Sequence, residues 1–140
     1  LMTVLVTDTG FGPETWDAGF TALDDAAAGT TSLDVASDTD PAVLLTQLDG
    51  VTMIRVDFPS FADGRGFTIA RQLRLAGYNG RLRAKGHVIS DQYAMARRCG
   101  FDEVEISDDL ASRQPEQDWL FRADWQSHDY QARMRGAAAV

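Results

Sequence analysis

The chain has 140 residues, 44% of them hydrophobic and 24% charged, which suits one globular domain with a core of its own. Its single cysteine, Cys99, excludes an internal disulfide and a cysteine-based zinc cluster, and fits a reducing compartment, so the expected location is the cytoplasm. The formal net charge of −8 argues against a nucleic-acid binder and against binding to an anionic membrane surface, and favours a basic macromolecular partner if there is one.

Residues 1–6 are too short for the apolar region of a signal peptide and lack its basic flank. Val4-Leu5-Val6 reads as a buried first strand, closed by a loop at Thr7-Asp8-Thr9-Gly10 and Gly12-Pro13. Over residues 14–28, Trp16, Phe20, Leu23 and Ala27 recur at helical spacing, which predicts a helix ending at Gly29. Leu33-Asp34-Val35 is a weak second strand. Asp40-Pro41 opens a short helix with Val43, Leu44 and Leu48 on one face. Residues 51–58 form the third strand, which Pro59 ends. Ser60-Phe61-Ala62-Asp63 has the form of a capping box and leads a helix carrying Phe67, Ala70, Leu73 and Leu75 or Ala76 to Gly77. Residues 81–85 make the fourth strand. Ser90-Asp91 opens a helix with Ala94, Met95 and Cys99 inward and Gly100 as its cap. Val104 and Ile106 mark the fifth strand, and Ser107-Asp108-Asp109 opens a further helix. A late helix covers residues 115–125, where Trp119 and Trp125, with Tyr130 beyond it, read as late core or subunit contacts, a partner-docking surface being the alternative. No run approaches the roughly 20 apolar residues of a membrane span.

Strands and helices alternate over short connections, with no hairpin signal between consecutive strands. That order predicts a single α/β domain over residues 1–135, with about five mostly parallel strands in an open doubly wound sheet. Residues 136–140 read as a frayed tail. A half-barrel sheet completed by a second copy is the alternative, and a homo-oligomer stays open with it.

Open parallel sheets bind ligands beyond the carboxyl ends of their strands. That rule selects Asp8, Asp57 with residues 60–66, Gly86-His87 and Ser107-Asp108. The richest stretch puts Gly64 and Gly66 around Arg65 at the mouth of a helix. The free N–H groups there and the Arg65 fork would hold a small anion such as sulfite, sulfate, phosphate or a carboxylate, with Ser60 and Asp63 beside it. Asp57 and His87 are the candidate acid–base residues, Asp8 would assist, and Gln92 falls at the same edge. A structural reading stands beside each. Gly64 and Gly66 would let helix and strand pack closely, Asp63 would cap, Arg65 would pair with Asp57 or Asp63, and a lone histidine is commonly structural or exposed. His128 sits in a polar stretch and carries less weight. Cys99 reads as a packing thiol. The sequence has no Walker loop, dinucleotide fingerprint, nucleophile elbow or metal-ligand spacing, so no metal is expected and no cofactor is identified.

Residues 56–67, from Val56-Asp57-Phe58-Pro59 to Gly64-Arg65-Gly66-Phe67, with Leu82-Arg83-Ala84, Gly86, Asp91-Gln92 and Arg97-Arg98-Cys99-Gly100-Phe101-Asp102, resemble the bacterial family called domain of unknown function 934. The likeness is specific over the middle third to half of the chain and loose elsewhere. His87 stands where the family pattern suggests an acidic residue. The resemblance implies a part in assimilatory sulfite reduction, the family being described as oxidoreductases of that process by association with sulfite reductase. It brings no established catalytic residues. Two functions stand, the first from this resemblance and the second from the polar residues crowded at the predicted sheet edge. One is a non-catalytic accessory protein that binds sulfite reductase or a small anion. The other is a small enzyme, of oxidoreductase or acid–base type, acting on an anionic metabolite at the sheet edge. Hydride chemistry requires a redox carrier, which side chains alone do not supply.

Overall fold

In a computed structural model, residues 3–126 are described. The expected tail at 136–140, Tyr130, His128 and most of the polar stretch around it lie outside the described residues. The strands are β1 (Thr3–Thr7), β2 (Gly10–Gly12), β3 (Thr21–Ala22), β4 (Ser32–Val35), β5 (Met53–Phe58), β6 (Arg81–Gly86) and β7 (Glu103–Ser107). They form one open sheet in the order β2-β1-β7-β6-β5-β4-β3. β3 to β7 are mutually parallel, whereas β1 runs antiparallel to both β7 and β2. The chain is thus the open, mostly parallel α/β domain its alternating pattern predicts.

The winding refines that expectation. β3 to β7 lie side by side in chain order, without the reversal that double winding requires. Right-handed crossovers that always step the same way place every helix on the same face. Those helices are α1 (Pro41–Leu45), α2 (Arg65–Leu75), α3 (Tyr93–Cys99), α4 (Asp108–Arg113) and α5 (Glu116–Leu120). One apolar cluster joins Leu44, Ile69, Leu73, Tyr93, Ala96, Leu110 and Trp119 from the helices to Leu33, Ile54, Val56, Leu82, Val104 and Ile106 from the strands. Alternate strand residues point the other way. They include Arg55, Arg81, Arg83, Glu103 and Glu105, so the second face of the sheet is charged.

Local chemistry sets most boundaries. Asp40 caps α1 by accepting from the Ala42 N–H at 2.9 Å, with Pro41 in the first turn. Ser107 caps α4 through the Leu110 N–H, and Gly100, at φ 113°, ends α3 in the left-handed region. α2 starts at Arg65 with Gly64 as its cap, four residues beyond the Ser60 capping box. α3 buries Tyr93 and Ala96 and leaves Met95 about half exposed, because the Tyr93 ring takes the inward face.

Two expectations near the N-terminus are corrected. The loop after the first strand contains β2, which folds back on β1. The expected helix over 14–28 does not form. Residues 13–20 are an irregular strap, followed by β3 and a 3-10 turn at Leu23–Asp25. Gly19 has a φ of +73°, in the left-handed region, which interrupts a helix over these residues. The helical spacing of Trp16 and Phe20 instead serves a strap whose aromatic rings lie against each other and the sheet.

Candidate functional site

The carboxyl ends of β5 and β6 bring Asp57, the 60–66 loop and His87 to one edge, but their polar groups are mostly engaged with each other. Arg65 is exposed, and its fork grips Asp63 at 3.0 and 2.8 Å while reaching the Ser37 hydroxyl at 3.1 Å. That pairing, with the Arg65 N–H donating to the same carboxylate, holds Asp63 well below the usual carboxylate range. The Ser60 hydroxyl accepts from the Ala62 N–H. Gln92 ties two loops together, accepting from the Ile89 N–H at 3.0 Å and donating to the Phe61 carbonyl at 3.1 Å. His87 is exposed, sits edge-on to Phe61, and has Nδ1 3.3 Å from the Phe58 carbonyl oxygen.

The two glycines have different roles. A Cβ on Gly66 would fall 2.5 Å from the Phe58 ring, so this glycine lets α2 settle on β5. A Cβ on Gly64 would meet only the Phe67 ring, at an ordinary contact distance of 3.9 Å. The packing reading therefore holds at Gly66 and is not needed at Gly64.

Asp57 points the other way from Phe58 and lines a cleft of about 530 Å³ at the carboxyl edge of β4 to β6. Lys85 stands beside it in register on β6. Asp24, Asp34, Asp38 and Asp40 share the wall, and apolar Val35 and Val43 complete it. Arg65 and His87 do not line this cleft. Five carboxylates against one ammonium disfavour an anionic occupant.

Asp8 belongs elsewhere. Because β1 runs antiparallel to β7, its trailing end lies at the opposite edge of the sheet from Asp57. There Asp8 accepts from the Tyr93 hydroxyl at 2.5 Å, from Arg97 at 3.2 Å and from the Trp125 indole at 3.2 Å. Partial burial opposes its charge, but those three donors hold its pKa below the ordinary value. The expectation that Asp8 assists chemistry beside Asp57 is corrected by this geometry. Trp119 is core, with its indole donating to the Gln114 carbonyl. Cys99 is half-buried and packs against the core, and burial pushes its thiol up.

The feature missed from sequence is the charged sheet face. Arg83 is fully buried and contacts three carboxylates. Its Nε donates to Glu103 at 2.5 Å, Nη1 to Glu105 at 2.8 Å, and both terminal nitrogens to Glu14 at 2.8 and 2.6 Å. Arg55 holds Asp34 in a two-point contact at 2.7 Å and also reaches Glu105. Arg81 holds Glu103 and contacts the Thr15 hydroxyl. Burial disfavours the Arg83 charge, but Glu14, Glu105 and Glu103 outweigh it and raise its pKa. Arg83 in turn lowers Glu14 to about 2. A signal was present: Arg81-x-Arg83-x-Lys85 precedes Glu103-x-Glu105 on the next strand, and alternation puts opposite charges on one face.

Among the described residues no cluster of histidine, cysteine or acidic side chains fits a metal ion, and no helix is long and apolar enough to cross a membrane. No curated protein and no solved structure matches the chain. The family model described as "Bacterial protein of unknown function" matches residues 32–140, a longer stretch than the motifs alone cover. It takes in β4 to β7 and all five helices, and leaves out β1, β2, the strap and β3. On that match the chain belongs to the bacterial family DUF934.

Proposed function

We propose that this protein is a non-catalytic, cytoplasmic accessory factor of assimilatory sulfite reduction that works by binding another protein, sulfite reductase in the first instance. The link to sulfite reduction comes from the family resemblance. The binding role is supported by one observation. The groups expected to grip an anion at that edge are engaged in holding the loops: Arg65 on Asp63 and Ser37, and Gln92 on Ile89 and Phe61. The loops at that edge are thereby fixed in shape, which favours recognition of a partner. The acidic wall of the cleft, with Asp38, Asp40 and Asp57, favours a basic contact over a small anion. Affinity capture with the full chain from sulfate-grown cells tests this. Recovery of sulfite reductase, reduced by Asp38→Lys with Asp57→Lys, is the expected result. Its consistent absence counts against the reading.

A second reading has one observation in its favour. Asp57 and Lys85 are neighbours in register and both line the cleft, an acid and a base available to one substrate. The surrounding aspartates make an anionic metabolite a poor fit there. Turnover lost on Lys85→Met or Asp57→Asn in folded protein would favour this second reading.

A further inference from the structure

The strap at residues 13–20 lies across the helix-free face of the sheet. It runs from β2 at one edge to β3 at the other, and covers β6, β5 and β4 on the way. Among the described residues, no backbone–backbone hydrogen bond outside the sheet ladders involves its backbone. Side chains hold it instead. Glu14 closes the Arg83 fork, Thr15 meets Arg81, the Gly19 carbonyl accepts from the Ser32 hydroxyl at 2.7 Å, and Phe20 lies flat on Arg55 with the guanidinium 3.8 Å from the ring centre. The Glu14 side chain is 44% exposed although Arg83 beneath it is fully buried. The groups that receive the strap, Arg55, Arg81, Arg83 and Ser32, all lie in the family-matched part of the chain, and the strap lies outside it.

We propose that this face is a peptide-binding site, occupied in cis by the chain's own strap. The competing ligand is an extended segment of a partner protein with a carboxylate and, six residues later, an aromatic ring, the spacing of Glu14 and Phe20. The chemistry is general to such a segment. A carboxylate takes two parallel hydrogen bonds from the Arg83 fork. A ring covers the Arg55 guanidinium. A backbone carbonyl accepts from Ser32. An incoming carboxylate replaces the Glu14 charge one for one, so Arg83 is never left buried without its third partner. The strap gives way more readily than the sheet, because few groups fix it and none of its amides belongs to a ladder. This site is on the opposite sheet face from the helices and does not depend on the assignment to sulfite reduction.

The test uses a dye-labelled peptide with the sequence of residues 12–22 and fluorescence anisotropy against three full-length proteins. These are wild type, Glu14→Gln with Phe20→Ala, and a variant with six Gly/Ser residues inserted after Asp17 to slacken the strap. The expected result is binding to both altered proteins at least about ten-fold tighter than to wild type, where the tethered strap competes at high effective concentration. A peptide with Gln in place of its Glu should bind about ten-fold more weakly than the parent, reflecting loss of a charged two-point contact. Folded variants that fail to bind the peptide would overturn the proposal, as would equal binding to wild type or equal binding of the Gln peptide. Failure of both variants to fold would also overturn it, since the strap would then be an integral layer and not an exchangeable one.

Discussion

At the residue scale, similar side chains take different roles according to what lies within a few ångströms. Gly64 and Gly66 flank the same arginine, yet only Gly66 faces the Phe58 ring. Gly66→Ala should therefore cost about 1–3 kcal/mol through overpacking, while Gly64→Ala should stay within about 0.5 kcal/mol. Paired urea melts of the two variants check this. Glu14 gives a pH prediction with a definite sign. Its folded pKa, about 2, lies below the ordinary 4.5, because Arg83 stabilises the carboxylate. The contribution is complete above pH 4.5 and is lost as pH falls through about 2. Between those limits wild type should lose about 1–2 kcal/mol more than Glu14→Gln, a range reduced for the solvent that reaches a side chain 44% exposed. Chemical denaturation of both proteins from pH 6 to pH 2 measures the difference. Parallel loss in the two proteins would contradict the stabilising role of the Glu14–Arg83 contact.

At the element scale, strand direction decides which loops meet. Asp8 follows a strand as Asp57 does, but β1 is antiparallel, so it joins Tyr93, Arg97 and Trp125 at the far edge. Asp8→Asn should cost about 1–3 kcal/mol and shift the Trp125 emission, because two charged hydrogen bonds and a tyrosine contact are weakened together. Tryptophan fluorescence and thermal melts check that. The central elements were legible in sequence for physical reasons. β5 and α2 carry clean apolar periods, and Asp40, Ser107 and Gly100 cap the ends where they stand. The N-terminal elements were not. β2 and β3 have three and two residues, too few for a period, and long-range pairing makes them strands. Trp16 and Phe20 repeat at a helical interval that local backbone geometry at Gly19 overrides. At the candidate site, the residue types and the shared edge of β5 and β6 could be read from sequence. The Arg65–Asp63 pairing was one of two open alternatives, and the Arg83 network depends on register between strands 22 residues apart in sequence.

At the scale of the whole molecule, one-way winding leaves two unlike faces. One is covered by helices and apolar. The other is a charged lattice on which Arg83 is wholly buried, closed by a strap and not by a second layer. The strap occupies the face a second copy would need to complete a barrel, so the half-barrel arrangement does not suit this chain. Arg83→Met leaves Glu103 with Arg81 and Glu105 with Arg55 but removes the partner of Glu14. It should still fold, because both buried glutamates keep an arginine, but it should be less stable by about 3–5 kcal/mol, the cost of removing one member of a buried charge network. It should also free the strap, raising proteolytic cleavage within residues 13–20 while the core stays resistant. Limited digestion with a glutamate-specific protease checks this at Glu14.

The proposed role is to serve sulfite reduction by binding and not by catalysis. Its most direct test is complementation of a deletion strain with sulfate as the sulfur source. The deletion should fail on sulfate and grow on sulfide, and a chain carrying Lys85→Met and His87→Ala, which leaves the acidic wall intact, should restore growth on sulfate as the wild type does. Equal growth of the deletion on sulfate and sulfide, or a folded double variant that fails to restore growth, would contradict that role.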